Sequence, residues 1–199
     1  MLLSVDKLLH FITGLAVGVG FWWWLERYAK QAARSINPLV FLIMVIWGAS
    51  GLFFFRKLGI PLLSGTFFYM AVPDWDIPLY NATGLRVLIH RSWLFHSVLI
   101  PVGLLGGWFW CSQQRYLSQG QRSWVNLLRD SAIGLSVGMS AHLVWDALLS
   151  SLKRGFYTQG FGGPASYLWL FANLAVGFGV PLLIARSMSP ARSGQTWLD

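Results

Sequence analysis

The sequence predicts an all-α, polytopic membrane helix bundle with about five transmembrane helices and one re-entrant or half-buried segment. Three observations carry that expectation. Only 11% of the 199 residues are charged and 55% are hydrophobic, where a soluble domain carries roughly 25% charged residues. Apolar runs near the roughly 20 residues that cross a hydrocarbon core recur along the whole chain, leaving no room for a soluble domain. The net charge of +8 comes from Lys and Arg scattered among the loops. That is the pattern of cations that set topology and meet anionic headgroups, not of a nucleic-acid surface.

The first span runs from about Leu8 to Leu25. It ends in Trp22, Trp23 and Trp24, an interfacial belt followed by Glu26, Arg27, Lys30 and Arg34. No small-residue cleavage site precedes the belt, so this segment reads as an uncleaved helix. Asn37 and Pro38 open a second span, Leu39 to Phe55, closed by Arg56 and Lys57. Ile60 to Val72 is interrupted by Ser64 and Gly65 and is too short to cross, hence the re-entrant reading. It delivers the chain to Pro73-Asp74-Trp75-Asp76, where the backbone is expected to leave helical geometry. Asn81 to Arg91 reads as a polar loop.

The third span is Trp93 to Cys111, with His96 near its start and Pro101 inside. A polar connection, Gln113 to Arg129, leads to Asp130 and Ser131, which are expected to cap the span Ala132 to Ser151. A glycine-containing loop, Lys153 to Pro164, precedes the last span, Ala165 to Ala185, bent at Pro181. Residues 1–186 thus form one membrane domain and residues 187–199 a flexible tail. Cys111 is the only cysteine, so no intrachain disulfide forms.

Against this apolar background the polar residues stand out. A charged side chain at the centre of a membrane helix costs roughly 2.5 to 3.5 kcal/mol on insertion scales, so buried Asp and His point to function. His142 and Asp146 are four apart and share one helix face. Asp74 and Asp76 flank Trp75, and His90 and His96 bracket a loop-to-helix entry. Each pair alone also fits a bland role: a buried helix-helix pair, a solvated turn, or two interfacial imidazoles. Topology joins them. If Ile60 to Val72 does not cross, His10, Asp74, Asp76, His90, His96, His142 and Asp146 all lie toward one membrane face; a full crossing would put His10 opposite the rest. Oxygen and nitrogen donors without thiolates suit a divalent ion such as zinc, manganese or iron. Arg86 and Arg91 lie beside the cluster, where they could hold an anionic substrate group or simply contact headgroups.

At these residues the chain resembles the YdjM family of LexA-regulated, inner-membrane metal-dependent hydrolases. That family carries an early His with Gly four residues on, a PDxDH motif, an HRGxTHS motif and a late SHxxxD. The corresponding residues here are His10 and Gly14, Asp74 and Asp76, His90, Arg91, His96 and Ser97, then His142 and Asp146, in the same order. The chain departs from the pattern at Ile77 in place of His, at Phe95 in place of Thr, at Ala141 in place of Ser, and in the six-residue spacing of His90 and His96. These departures favour Asp74, Asp76, His96, His142 and Asp146 over His10 and His90.

The resemblance implies a multi-pass protein of the bacterial inner membrane that hydrolyses its substrate through a metal-activated water. A phosphoester or lipid-linked substrate, with Asp74, Asp76 and His142 in catalytic roles, is the corresponding expectation. A metal-ion transporter or sensor with an intramembrane His/Asp site is the competing one, and a structural membrane protein the third.

Overall fold

The computed structural model describes residues 5–52, 66–114, 116–151 and 157–188. Seven α-helices lie among them: α1 (Val5–Tyr28), α2 (Lys30–Ser35), α3 (Pro38–Ser50), α4 (Asp76–Thr83), α5 (Leu99–Ser112), α6 (Gln119–Ser151) and α7 (Gly163–Ser187). The described residues contain no β-strand, only a single parallel bridge between Ser92 and Gln159.

The bundle is organised around α6, which packs against α1, α3, α5 and α7. Some 78% of its most apolar stretch is buried inside the protein, against 28% for α1 and α7. The outer helices therefore keep most of their apolar surface facing outward, as lipid contact requires. Helices α1, α6 and α7 are long and apolar enough to cross a membrane.

The other two expected spans are shorter than the sequence suggested. At about 1.5 Å per residue, α3 with 13 residues and α5 with 14 fall short of the roughly 30 Å hydrocarbon thickness. Pro101 explains the late start of α5. A helix from Trp93 would need an N–H at Pro101 to bond back to residue 97, and proline has none, so it sits in the first turn instead. Residues 91–98 are consequently non-helical. They are held by Val98 N–H donating to Asn173 Oδ1 at 2.8 Å and by Ser97 Oγ donating to the Leu94 carbonyl at 2.8 Å.

A second correction concerns Asp130. It does not cap a helix at Ala132, because α6 begins thirteen residues before Ala132, at Gln119. The working cap is Ser118, whose Oγ accepts from Gln121 N while Gln121 Oε1 accepts from Ser118 N. This reciprocal Ser-x-x-Gln box was present in the sequence. Part of the expected polar loop is likewise helical, since α4 extends to Thr83 and ends at Gly84, with φ of 67°. A 3-10 turn, Val72–Trp75, precedes α4. The end of the expected second span with Arg56 and Lys57 (residues 53–57), much of the expected re-entrant segment (60–65), part of the glycine-containing loop (153–156) and most of the expected tail (189–199) lie outside the described residues.

Two glycine contacts set the geometry of the site. Gly51 ends α3 with φ of 79°, and a Cβ there would stand 2.7 Å from the Tyr69 carbonyl oxygen. Only glycine lets the chain before Asp74 come in against the end of α3. Gly48 faces α6 in the same way, with a Cβ position 2.9 Å from Met139 N, so α3 and α6 approach backbone to backbone.

Candidate metal centre

The elements above bring one end of the bundle into a compact polar pocket. His10 comes from the first turns of α1, Asp74 from the 3-10 turn and Asp76 from the start of α4. His90, Arg91 and His96 lie on the non-helical stretch before α5, and His142 and Asp146 on the last third of α6.

Three imidazoles are held the same way. His142 Nδ1 donates to the Ala49 carbonyl at 2.8 Å, His10 Nδ1 to the Asp6 carbonyl at 2.9 Å, and His96 Nδ1 to Asp76 Oδ2 at 3.0 Å. A carbonyl oxygen can only accept, so the Nδ1 atoms of His10 and His142 carry hydrogen, and in the neutral ring Nε2 is left with its lone pair. All three Nε2 atoms then face carboxylates. His10 Nε2 lies 3.2 Å from Asp146 Oδ1. His96 Nε2 lies 3.6 Å from Asp146 Oδ2 and 3.9 Å from Asp74 Oδ1, and His142 Nε2 stands 3.8 Å and 3.9 Å from the same two oxygens.

Lone pair facing lone pair is repulsive unless something positive lies between. The Nε2 atoms of His96 and His142 are fully buried and have no hydrogen-bond partner, a state that costs on the order of 1 to 3 kcal/mol for each such group. A divalent cation removes both problems, because neutral imidazole nitrogens and carboxylates are its ordinary ligands. The donor set therefore fits a metal ion. Ring nitrogens fixed through their opposite nitrogen by a carbonyl or carboxylate are also the usual support of metal-bound histidine.

Asp76 plays a different part. It is fully buried, Oδ1 accepts from His90 Nδ1 at 3.4 Å, and Oδ2 accepts from both His96 Nδ1 and Ser92 N. Burial alone would raise its pKa, but the hydrogen bonds from His90 and His96 outweigh it and hold the carboxyl down to about 2. With three donors already on it, Asp76 orients His96 and His90, whereas Asp74 and Asp146 turn oxygens toward the open nitrogens. His90 sits at the mouth with its side chain 47% exposed. Its hydrogen bond to Asp76, only partly opposed by burial, raises its pKa above the ordinary 6.5.

The two expected anion-binding residues separate. Arg91 reaches the pocket: its guanidinium lies 3.8 Å from Asp146 Oδ2 and over the Tyr157 ring at 5.5 Å. Its φ of 66° is the one positive value at a non-glycine among the described residues, and its carbonyl accepts from Gln159 N. Arg86 sits in an exposed 3-10 turn and, among the described residues, pairs with no carboxylate of the cluster.

His10 and His90, which the motif departures disfavoured, thus lie in the cluster with the other five. Sequence reasoning missed the carbonyls of Asp6 and Ala49 and the amide of Ser92. No side-chain pattern signals a backbone partner. Compared with known proteins, the chain matches no family model, no curated protein and no solved structure.

Proposed function

We propose that this protein is a membrane-bound, metal-dependent hydrolase acting on a phosphoester or lipid-linked substrate. The observation that carries the reading is the convergence of three imidazole Nε2 atoms, each anchored through Nδ1, on Asp74 and Asp146. His10, His96, His142, Asp74 and Asp146 would hold the ion, zinc, manganese or iron. When bound, it would supply a water whose pKa is lowered toward about 7 and a Lewis acid for a phosphoryl or carbonyl oxygen.

The remaining roles belong to the chain. Asp76 keeps His96 in one orientation. Asp74, the more exposed of the two open carboxylates, would ligate through one oxygen and take a proton from the attacking water with the other. Arg91 offers a guanidinium to an anionic substrate group.

The proposal includes five spans around one re-entrant segment, with α5 completed by the non-helical stretch that precedes it. Irregular backbone is tolerated at membrane depth where protein covers it, and residues 96–98 are buried. It includes membership of the YdjM family and a place in the bacterial inner membrane, both resting on the ordered motifs from His10 to Asp146. A transporter would need access to its site from both faces. The His and Asp groups here instead gather toward one end of the bundle, which favours the hydrolase.

Elemental analysis of the detergent-purified protein tests the first step: about stoichiometric metal in the parent, lost in both Asp146→Ala and His142→Ala. Metal-free parent protein would leave only a structural role for the cluster. Phosphate release from lipid phosphates in mixed micelles, set beside ion flux into proteoliposomes, then divides hydrolase from transporter.

A further inference from the structure

We propose that the pocket is built for two ions, an inner one and an outer one, bridged by the carboxylates between them; this rests on the metal-dependent reading above. The donor atoms fall into two separate triads. His10, His142 and Asp146 form one, and Asp74, His90 and His96 the other, and within each triad the ligand atoms lie within 4.8 Å of one another. Donors bound at about 2.0 to 2.2 Å to a tetrahedral ion stand about 3.3 to 3.6 Å apart, so each triad closes on an ion by drawing its ligand atoms together.

Each triad also contains one of the two buried, unpartnered ring nitrogens, His142 Nε2 in the inner and His96 Nε2 in the outer. One orphan nitrogen in each triad is the arrangement two ions resolve. The carboxylates link the sets crosswise: Asp146 Oδ2 is 3.6 Å from His96 Nε2, and Asp74 Oδ1 is 3.9 Å from His142 Nε2. Oxygens so placed can bridge, as in the two-metal hydrolytic sites that clamp both the attacking and the leaving oxygen.

The positions differ in exposure. His10 and His142 are buried and the Asp146 side chain is 13% exposed, whereas the outer triad includes His90 at 47% and Asp74 at 29%. The inner ion is therefore the tighter and the outer the exchangeable one.

The full chain, purified in detergent and stripped with chelator, is titrated with Mn(II) and followed by elemental analysis and electron paramagnetic resonance. Two Mn(II) per chain are expected, the second binding more weakly and bringing the signal of a spin-coupled pair. His90→Ala, at a half-exposed side chain whose loss spares the fold, should bind one Mn(II) with the signal of an isolated ion. His10→Ala should lose the tight phase by at least tenfold in affinity. A parent that saturates at one ion overturns the pair while leaving the hydrolase reading intact; a parent that binds none overturns both. Two uncoupled ions, or a coupled pair that survives in His90→Ala, would also refute the bridged arrangement.

Discussion

The first half and the last third of α6 both bury charge, and they treat it in opposite ways. At Arg129 and Asp130 the charge is settled locally. Arg129 Nε donates to Asp130 Oδ1 at 2.8 Å and its terminal nitrogen to the Ser35 carbonyl at 2.6 Å, while Asp130 Oδ2 accepts from Asn37 N at 3.0 Å. Asn37 in turn caps α3. At His142 and Asp146, about three turns further along, buried ring nitrogens are left without partners and face carboxylates within 4 Å. A structural knot closes its own hydrogen-bond account; a ligand site keeps lone pairs open, at a cost that folding alone would not sustain.

That contrast can be broken most sharply at the settled end. Arg129→Leu strands Asp130 as an uncompensated buried charge and should cost about 3 to 5 kcal/mol, read as a large fall in the thermal unfolding midpoint in detergent. Metal content per folded chain should not change, and Asp130→Asn added to it should restore most of the loss. If the single variant unfolds with the parent, the knot is not structural.

At the open end the effects should invert. Saturating metal at about a thousand times its dissociation constant should stabilise the parent by about 4 kcal/mol. Asp146→Asn should abolish that gain, yet in chelator its unfolding midpoint should stay near the parent's, because the repulsion from the facing ring nitrogens is lost together with the pairing to Arg91. A metal-free Asp146→Asn protein much less stable than the parent would make this end as structural as the other.

Between the ends, Gly138→Ala should drive a methyl into the Val45 backbone, costing about 1 to 3 kcal/mol and weakening metal binding as the Ala49 carbonyl shifts away from His142. Gly120→Ala, on the same helix but with open space around its Cβ, is the control and should cost nothing. Equal effects in the two variants would deny that the α3–α6 approach positions the site.

The smallest effect is that of pH on the metal-free protein. The contribution of Asp76, whose carboxyl is held at about 2 against the ordinary 3.8, is complete above 3.8 and lost only as pH falls through about 2. That of His90, raised above 6.5, is complete below 6.5 and lost as pH climbs through the raised value. In chelator, the unfolding midpoint should therefore drop slightly as pH rises past 6.5, and His90→Ala should flatten the slope. Metal binding should strengthen over the same interval, since ligand nitrogens must shed protons. A slope that persists in His90→Ala would assign it to another group.

Part of this architecture could be read residue by residue. The first and last helices, Val5–Tyr28 and Gly163–Ser187, lie within three residues of the expected apolar spans. Length and hydropathy alone define a helix that faces outward over most of its surface. The sequence alone places the start of α6 too late because Asp130 resembles a cap, and the groups that occupy the pair instead, the Asn37 amide on Asp130 and the Ser35 carbonyl on Arg129, are distant in sequence. The surroundings of Asp76, an expected ligand, were hidden for a similar reason: its three hydrogen-bond donors, His90, Ser92 and His96, are brought to it only by the non-helical turn before Pro101.

From the order of its residues alone, this chain determines that it is helical, that it is apolar over most of its length, and that His and Asp recur where an apolar chain should exclude them. These are local properties, set by hydrophobic run length and by the cost of burying polar groups. Which nitrogen of each imidazole is open, which carboxylate faces it and which orients it were decided only in three dimensions. The deciding partners are backbone carbonyls and glycine-permitted helix approaches, which exist only once distant segments have packed.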